Sequence, residues 1–250
     1  MARKKTVLIT GASSGIGAAT AVLASKHGYD IAVHYNSDLK GAQLVSQMCE
    51  QEGATTYMLH ADLSDPDAIT GFFEELDAVF PVLDALVNNA GVVDTPQRVD
   101  EMSPERLHRM MNINLIAPFL VAKEAVLRMS TAYGGDGGVI VNTGSAAARL
   151  GSAGQYVDYA AAKAGIDIFT KGLSDEVAAE GIRVVAIRPG LIETAIHAKG
   201  GLPDRCDDLA HMVPMQRPGD AEECAHAILY LMGEGASYIT GTSVDVSGGR

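Results

Sequence analysis

The sequence predicts an α/β protein built on one doubly wound parallel sheet of about seven strands with helices on both faces. Three observations carry that expectation. Short apolar runs of strand length alternate with longer runs of helical length along the chain, the pattern of strands joined by helical crossovers. A glycine-rich loop stands between the first such strand and the first helix. The polar and glycine-rich signatures further on fall where strands end, which is where open parallel sheets bind ligands. The alternation fills all 250 residues, so a single domain spanning 1–250 is expected.

Thr6 to Thr10 reads as a buried strand, and Gly11 to Gly17 as a loop leading into a helix that runs to His27 and is closed by Gly28. Ile31 to Tyr35 is a second strand, Leu39 to Glu52 a helix ended by Gly53, and Thr55 to Leu59 a third strand. Asp65 with Pro66 has the form of an N-cap followed by proline at the first helical position, opening a helix to about Val79. Asp84 to Val87 is the fourth strand, terminated by Asn88-Asn89-Ala90-Gly91. Ser103-Pro104 begins a helix expected to break near Asn112 to Asn114, and Leu115 to about Arg128 is strongly helical. The glycine tract 134–138 turns the chain into the strand Val139 to Asn142, which leads to Ser145. An Ala-rich helix runs from Tyr159 to Glu180, and Ile182 to Arg188 is a strand stopped by Pro189-Gly190. Asp220 and Glu223 form a capping box for a helix to Met232, and Ser243 to Val246 is the last strand.

The net charge of −12 and pI near 4.9 argue against nucleic acid or an anionic membrane as partner, since the only basic cluster is Arg3-Lys4-Lys5. The apolar run after it is broken by Thr10-Gly11, and no stretch is expected to approach membrane-spanning length. A cytoplasmic protein without a membrane partner is therefore expected. Cys49, Cys206 and Cys224 lie far apart without a CxxC pair, which fits reduced thiols. The seven histidines show no ligand spacing either, so no metal site is expected.

Tyr159 and Lys163 are four residues apart on the Ala-rich helix, so the phenol and the ammonium stand one above the other on one face. A phenol with pKa about 10 is a poor base near neutrality, and a cation one turn away would favour its ionised form. Tyr159 so activated would take a proton from an alcohol or return one to a carbonyl. Tyr156 lies two turns before Lys163, about 10 Å along the axis and too far for close contact. In the first loop, Gly11, Gly15 and Gly17 with Ser13, Ser14 and Ile16 would let the backbone approach a pyrophosphate, whose charge the amides opening the helix would meet.

TGASSGIG at 10–17, NNAG at 88–91, Ser145, Tyr159-x-x-x-Lys163 and Arg188-Pro189-Gly190 together resemble, in kind and order, the motifs of the short-chain dehydrogenase/reductase family. The resemblance covers nearly all of the chain. It implies a single-domain Rossmann fold that moves a hydride between a nicotinamide cofactor and an alcohol or carbonyl carbon of a small molecule, as in glucose dehydrogenase-like and 3-oxoacyl-acyl-carrier-protein reductase-like members. It implies Tyr159 as acid/base, Lys163 as the residue that lowers its pKa and binds the nicotinamide ribose, and Ser145 as hydrogen-bond partner of the substrate oxygen. A water-holding asparagine is implied as well, with Asn112 and Asn114 competing and Asn114 fitting better the Leu-x-x-x-Phe that follows. Asn88, Ala90 and Gly91 would lie beside the adenosine ribose, Asp62 and Leu63 at the adenine, and Pro189, Gly190, Ile192 and Thr194 at the nicotinamide. A homotetramer is implied too, with the apolar helices 115–128 and 159–180 as contributors.

The choice of cofactor should be written after the second strand, where a carboxylate would accept bonds from a ribose 2′-hydroxyl and repel a 2′-phosphate. The stretch His34, Tyr35, Asn36, Ser37 contains no carboxylate, and Asp38 falls beyond the position where an NAD-type aspartate usually stands. Tyr35, Asn36 and Ser37 are taken as cofactor-binding, with Lys40 in reach of a phosphate, and NADP(H) is favoured over NAD(H). Two departures from the family pattern stand out. Ser145 and Tyr159 are fourteen apart, one more than usual, which lengthens the loop 149–158 beside the substrate, and Ser247 stands where aspartate is frequent. Residues 193–216 would form a substrate lid, with Ile196, His197, Leu202, His211, Met212 and Met215 as pocket-lining candidates. The acidic chain advertises no basic patch for docking an acyl-carrier protein. Two rivals are a non-catalytic redox sensor of the same fold, which would not need both Tyr159 and Lys163, and a methyltransferase, which would leave NNAG without a role.

Overall fold

The computed structural model describes residues 3–250; Met1 and Ala2 of the expected domain lie outside the described residues. The strands are β1 (Lys5–Ile9), β2 (Tyr29–Tyr35), β3 (Thr56–His60), β4 (Ala85–Asn88), β5 (Gly138–Thr143), β6 (Ile182–Pro189) and β7 (Ser243–Val246). They form one sheet in the order β3-β2-β1-β4-β5-β6-β7, every neighbouring pair parallel. Between them run α1 (Gly15–Lys26), α2 (Leu39–Gln51), α3 (Pro66–Val79), α4 (Pro104–Met111), α5 (Ala117–Met129), α6 (Ala147–Leu150), α7 (Val157–Val177), α8 (Ile196–Lys199), α9 (Arg205–Leu209) and α10 (Ala221–Met232).

Strand side chains alternate between two cores because successive Cβ atoms leave opposite faces of a sheet. Val7 and Ile9 of β1 join Val33, Val87, Val141 and Ile187 against α1, α2 and α10. Leu8 joins Leu86, Ile140 and Val184 on the opposite face, against Phe72, Phe73 and Leu76 of α3 and Val121 and Ala125 of α5. Both faces are apolar at the centre of the sheet, so β1, β4 and β5 carry near-continuous buried runs, Val7–Ile9, Ala85–Val87 and Val139–Val141. The strand order reverses between β1 and β4, which carry the chain in opposite directions across the sheet, and the loops leaving their carboxyl ends frame a crevice.

The expected caps form: Asp65 accepts from Asp67 N, Ser103 from Arg106 N, and Asp220 and Glu223 cap each other reciprocally. Three expectations are corrected. The helix does not break at 112–114 but widens into a π-helical turn, Asn112–Ile116, that joins α4 to α5 without interruption. Helix α7 begins two residues before Tyr159, with Tyr156 as its N-cap residue, and passes at Ala178 into a 3-10 turn ended by Gly181 at φ 82. Finally, the continuous helix Pro104–Met129 is long and apolar enough, by length and composition, to cross a membrane. One face of it packs into the core, with Met110, Val121, Ala122, Ala125 and Met129 fully buried, and the other leaves Ile116, Phe119 and Leu127 exposed.

Candidate functional site

A cleft of about 720 Å³ opens at the carboxyl ends of the strands. Gly11, Ser13, Ser14, Gly15 and Ile16 form one wall. Gly11 and Gly15 adopt φ +64 and +57, the left-handed region that side chains disfavour. Ser14 caps α1 without a side-chain hydrogen bond, and no acidic residue occupies the first turn, so the opening amides of α1 face the cleft as free donors for an anion. The fit of a pyrophosphate to this cradle rests on those donors and on the two left-handed glycines. Gly17 serves packing instead: it does not line the cleft, and a Cβ there would stand 2.4 Å from Gly11 O and 2.7 Å from Asn89 Nδ2.

The loops after β1 and β4 are laced together. Thr10 Oγ1, fully buried, accepts from Asn89 N and Ala90 N, each at 2.9 Å, and Asn89 Nδ2 donates to Thr10 O at 2.9 Å. Asn89, Ala90 and Gly91 line the cleft, whereas Asn88 does not. Asn88, expected beside the adenosine ribose, ends β4 with its side chain donating to Pro118 O at 2.8 Å, which ties the strand to α5. His34 supplies a link not foreseen in the sequence. Gly11 N donates to its Nδ1 at 3.0 Å, and its Nε2 meets Ala61 O at 3.1 Å, which places the ring proton on Nε2. Burial lowers its pKa to about 4, so the imidazole is neutral and spans the loop after β1 and the end of β3.

At the end of β2, Asn36, Ser37 and Asp38 line the cleft, and neither Tyr35 nor Lys40 does. Tyr35 packs against His60, their ring centroids 5.3 Å apart, and against the core beside α2; strand alternation turns it away from the cleft. The Asp38 carboxylate accepts from Gly41 N at 2.9 Å and caps α2. Asp62 and Leu63 line the cleft, with Asp62 Oδ1 holding Ser64 N and Oγ at 2.9 and 2.7 Å.

Ser145, Tyr159 and Lys163 converge on the same cleft, Ser145 from the loop after β5 and the others from the start of α7. Lys163 is buried; its Nζ donates to Thr143 O at 2.8 Å and lies 5.7 Å from the centre of the Tyr159 ring. Burial lowers its pKa to about 8, with Asp167 acting in the opposite sense. The expected depression of the Tyr159 pKa is not found. Burial raises it, and the facing Ser145 hydroxyl offsets only part of that rise, because the ammonium is aimed at the Thr143 carbonyl rather than at the phenol oxygen. Asn114 is fully buried and does not line the cleft, which is lined by its neighbour Ile113. Its Oδ1 accepts from Val92 N, and its Nδ2 donates to Val92 O and Met110 O, at 3.0 to 3.1 Å. Gly91 makes room for this: a Cβ there would stand 2.9 Å from Asn114 Oδ1 and 3.5 Å from Lys163 Nζ.

Pro189, Gly190, Ile192 and Thr194 line the cleft. From 193–216, Ile196, His197 and Met212 face it, Met215 lines a separate cleft, and Leu202 and His211 line neither. Side chains not foreseen include Lys199, Arg205 and Leu209 from this segment and Gln155 and Tyr156 from the loop 149–158. Behind the site, Arg106 of α4 forms a buried ion pair with Asp158, Nε to Oδ2 at 2.8 Å, and donates to Thr95 O and Gln97 Oε1. Asp158 Oδ1 in turn accepts from Tyr159 N at 2.9 Å.

A family model described as enoyl-(acyl carrier protein) reductase matches residues 11–250. Uncharacterized oxidoreductase YgfF of Escherichia coli (strain K12) is 48% identical over 243 residues, which cover 97% of this chain and 98% of that protein. Two crystal structures superpose with TM-scores of 0.90. One is a short-chain dehydrogenase from Burkholderia cenocepacia J2315 in complex with NADP, 29% identical, covering 98% of this chain and 97% of that one. The other is a 3-ketoacyl-(acyl-carrier-protein) reductase from Brucella melitensis complexed with NADH, 30% identical, covering 98% of both chains. The parallel sheet, the glycine cradle and these likenesses agree, and the chain belongs to the short-chain dehydrogenase/reductase family of NAD(P)-dependent oxidoreductases.

Proposed function

We propose that the protein interconverts a ketone and a secondary alcohol, with Tyr159 as the proton donor and acceptor and NADP(H) preferred to NAD(H). The observation that carries this reading is the convergence of Ser145, Tyr159 and Lys163 on the cleft whose far wall is the glycine cradle. A nicotinamide cofactor, when bound, supplies or accepts the hydride. The amides opening α1 would hold its phosphates, and Lys163 its nicotinamide ribose.

Tyr159, its pKa raised by burial, stays a protonated phenol near neutrality. It therefore stands ready to give a proton to a carbonyl oxygen, the role that reduction requires. Ser145 would hold that oxygen by its hydroxyl. Lys163, aimed at Thr143 O, would stabilise the phenolate left behind, and Asn114 would fix the backbone around it from the π-helical turn. The preference for NADP(H) is supported by the engagement of Asp38 in capping α2, which leaves Asn36 and Ser37 as cleft-facing groups able to donate to a 2′-phosphate. Residues 193–216 would act as the substrate lid. A homotetramer is proposed from the exposed apolar side chains Ile116 of the π-helical turn, Phe119 of α5 and Ile168 of α7.

The test is a thermal-shift comparison of NADPH and NADH, followed by oxidation of the reduced cofactor across ketones, sugars and acyl thioesters. A larger shift with NADPH and turnover of at least one carbonyl class are expected. A protein that binds cofactor yet turns over no carbonyl or alcohol would defeat the reading.

A further inference from the structure

Arg205, at the start of α9, stands with its guanidinium 5.2 Å from the centre of the Tyr156 ring, and its Nη1 donates to Gln155 Oε1 at 2.7 Å. Arg205, Tyr156 and Gln155 all line the cleft that holds Ser145 and Tyr159. The ring and the amide fix the guanidinium's position but leave its charge unneutralised. Eight other arginines of this chain each pair with an Asp or Glu. Among the described residues no carboxylate lies within ion-pair distance of Arg205. The two acidic side chains that do line the cleft, Asp38 and Asp62, stand beyond the ends of β2 and β3 and are engaged with Gly41 N and Ser64. In a chain of net charge −12, the lid side of the cleft thus carries a half-buried, positioned and unpaired cation.

We propose that Arg205 reads a carboxylate on the substrate, so that the alcohol or ketone turned over here is a hydroxy or oxo acid. The inference rests on the oxidoreductase reading given above. A planar guanidinium stacked on an aromatic ring presents its remaining N–H edge to a carboxylate in fork geometry. Tyr156 precedes Tyr159 by three residues, just under one helical turn, or about 5 Å of rise. Both tyrosines and Arg205 line the same cleft, so the cation stands apart from the acid/base hydroxyl, which suits an anion several bonds from the reacting carbon.

The test measures kcat/KM of the NADPH-loaded enzyme for 4-oxopentanoate, 5-oxohexanoate and 6-oxoheptanoate against their methyl esters, with thermal shifts of the cofactor-loaded protein by each compound. For the best-fitting length, the acid should exceed its ester by about tenfold to a hundredfold, the worth of a charge-assisted pair in a partly dry site. Arg205→Gln should collapse the acid-to-ester ratio toward unity, Arg205→Glu should invert it, and Arg205→Lys should retain part of it. Acids and esters turned over alike by the wild type would overturn the proposal and leave the oxidoreductase reading standing. So would a ratio that survives Arg205→Gln, or a loss of NADPH binding with that ratio intact, which would give the guanidinium to the cofactor phosphates. If no ketone were turned over but Arg205→Gln abolished an acid-selective thermal shift, the anion site would stand and the reaction would fall.

Discussion

At Tyr159 burial and function pull in opposite directions. Burial that shields the reaction from water also raises the phenol's pKa, so the protein stabilises the acid form and leaves the base form to be recruited from its surroundings. Tyr159→Phe should lower turnover by about two to four orders of magnitude, the scale of a lost general acid, while the cofactor thermal shift persists; turnover at wild-type rate would remove Tyr159 from its role. Lys163 is held at a cost to the fold. Its pKa of about 8 lies below the ordinary lysine value, so the folded state disfavours a charge that the unfolded chain accepts freely. Lys163→Met should therefore abolish turnover yet offset a destabilisation on the order of 2–3 kcal/mol. That advantage is full below about pH 8 and shrinks as pH rises from 8 toward the unfolded value, as urea melts at several pH values would show. His34 behaves in the reverse sense. With a folded pKa of about 4, its contribution is full above about pH 6.5 and is lost as pH falls from there to 4. Some residues near the site were legible as a segment but not as individuals. Tyr35 and Asn36 are adjacent in the sequence, yet one packs against His60 and the other faces the cleft. Asn88 and Asn89 divide in the same way between Pro118 and Thr10.

Among the elements, strands and caps were readable because their signals are local: alternation, a proline at the first helical position, a reciprocal Asp220–Glu223 box. The π-helical turn at Asn112–Ile116 was visible only as a disturbance. Asparagine in a helix suggests a break, and what prevents one here is a set of hydrogen bonds from Asn114 to Val92 and Met110, the former 22 residues away in the sequence. The Arg106–Asp158 pair was illegible for the same reason, its members lying 52 residues apart. It clamps α4 to the first turn of α7, and Asp158 also holds Tyr159 N, so it sets where the phenol stands. Removing one member leaves the other charged and buried. Arg106→Met or Asp158→Leu should each cost about 3–5 kcal/mol, and the double variant should recover much of that loss. Denaturant melts of the three variants would check this, an additive double variant being the contrary result.

For the whole molecule, the parallel sheet and the placing of the site at the strand ends followed from the alternation, because parallel strands joined by helices admit few arrangements. What the alternation does not reveal is the shape of 193–216, whose short helices α8 and α9 lack any strong period and whose cleft-facing side chains were only partly anticipated. Assembly belongs to this scale as well. Ile168 is 75% exposed on α7, and Phe119 stacks on Phe169 with centroids 3.6 Å apart, an apolar face suited to a second copy. Light scattering should give the mass of four chains, and Ile168→Glu should reduce it; a monomeric wild type would contradict the assembly.

The crevice between the loops after β1 and β4 is bridged underneath by hydrogen-bonded strands, Val7 beside Ala85 through Ile9 beside Val87. A groove laid over an unbroken plate has no jaw to open, so a dinucleotide must enter and leave past its rim rather than between two swinging halves. Amide exchange on cofactor binding should therefore slow mainly in 193–216, with the floor of the groove as protected before as after. The pace of the catalytic cycle would then belong to that rim.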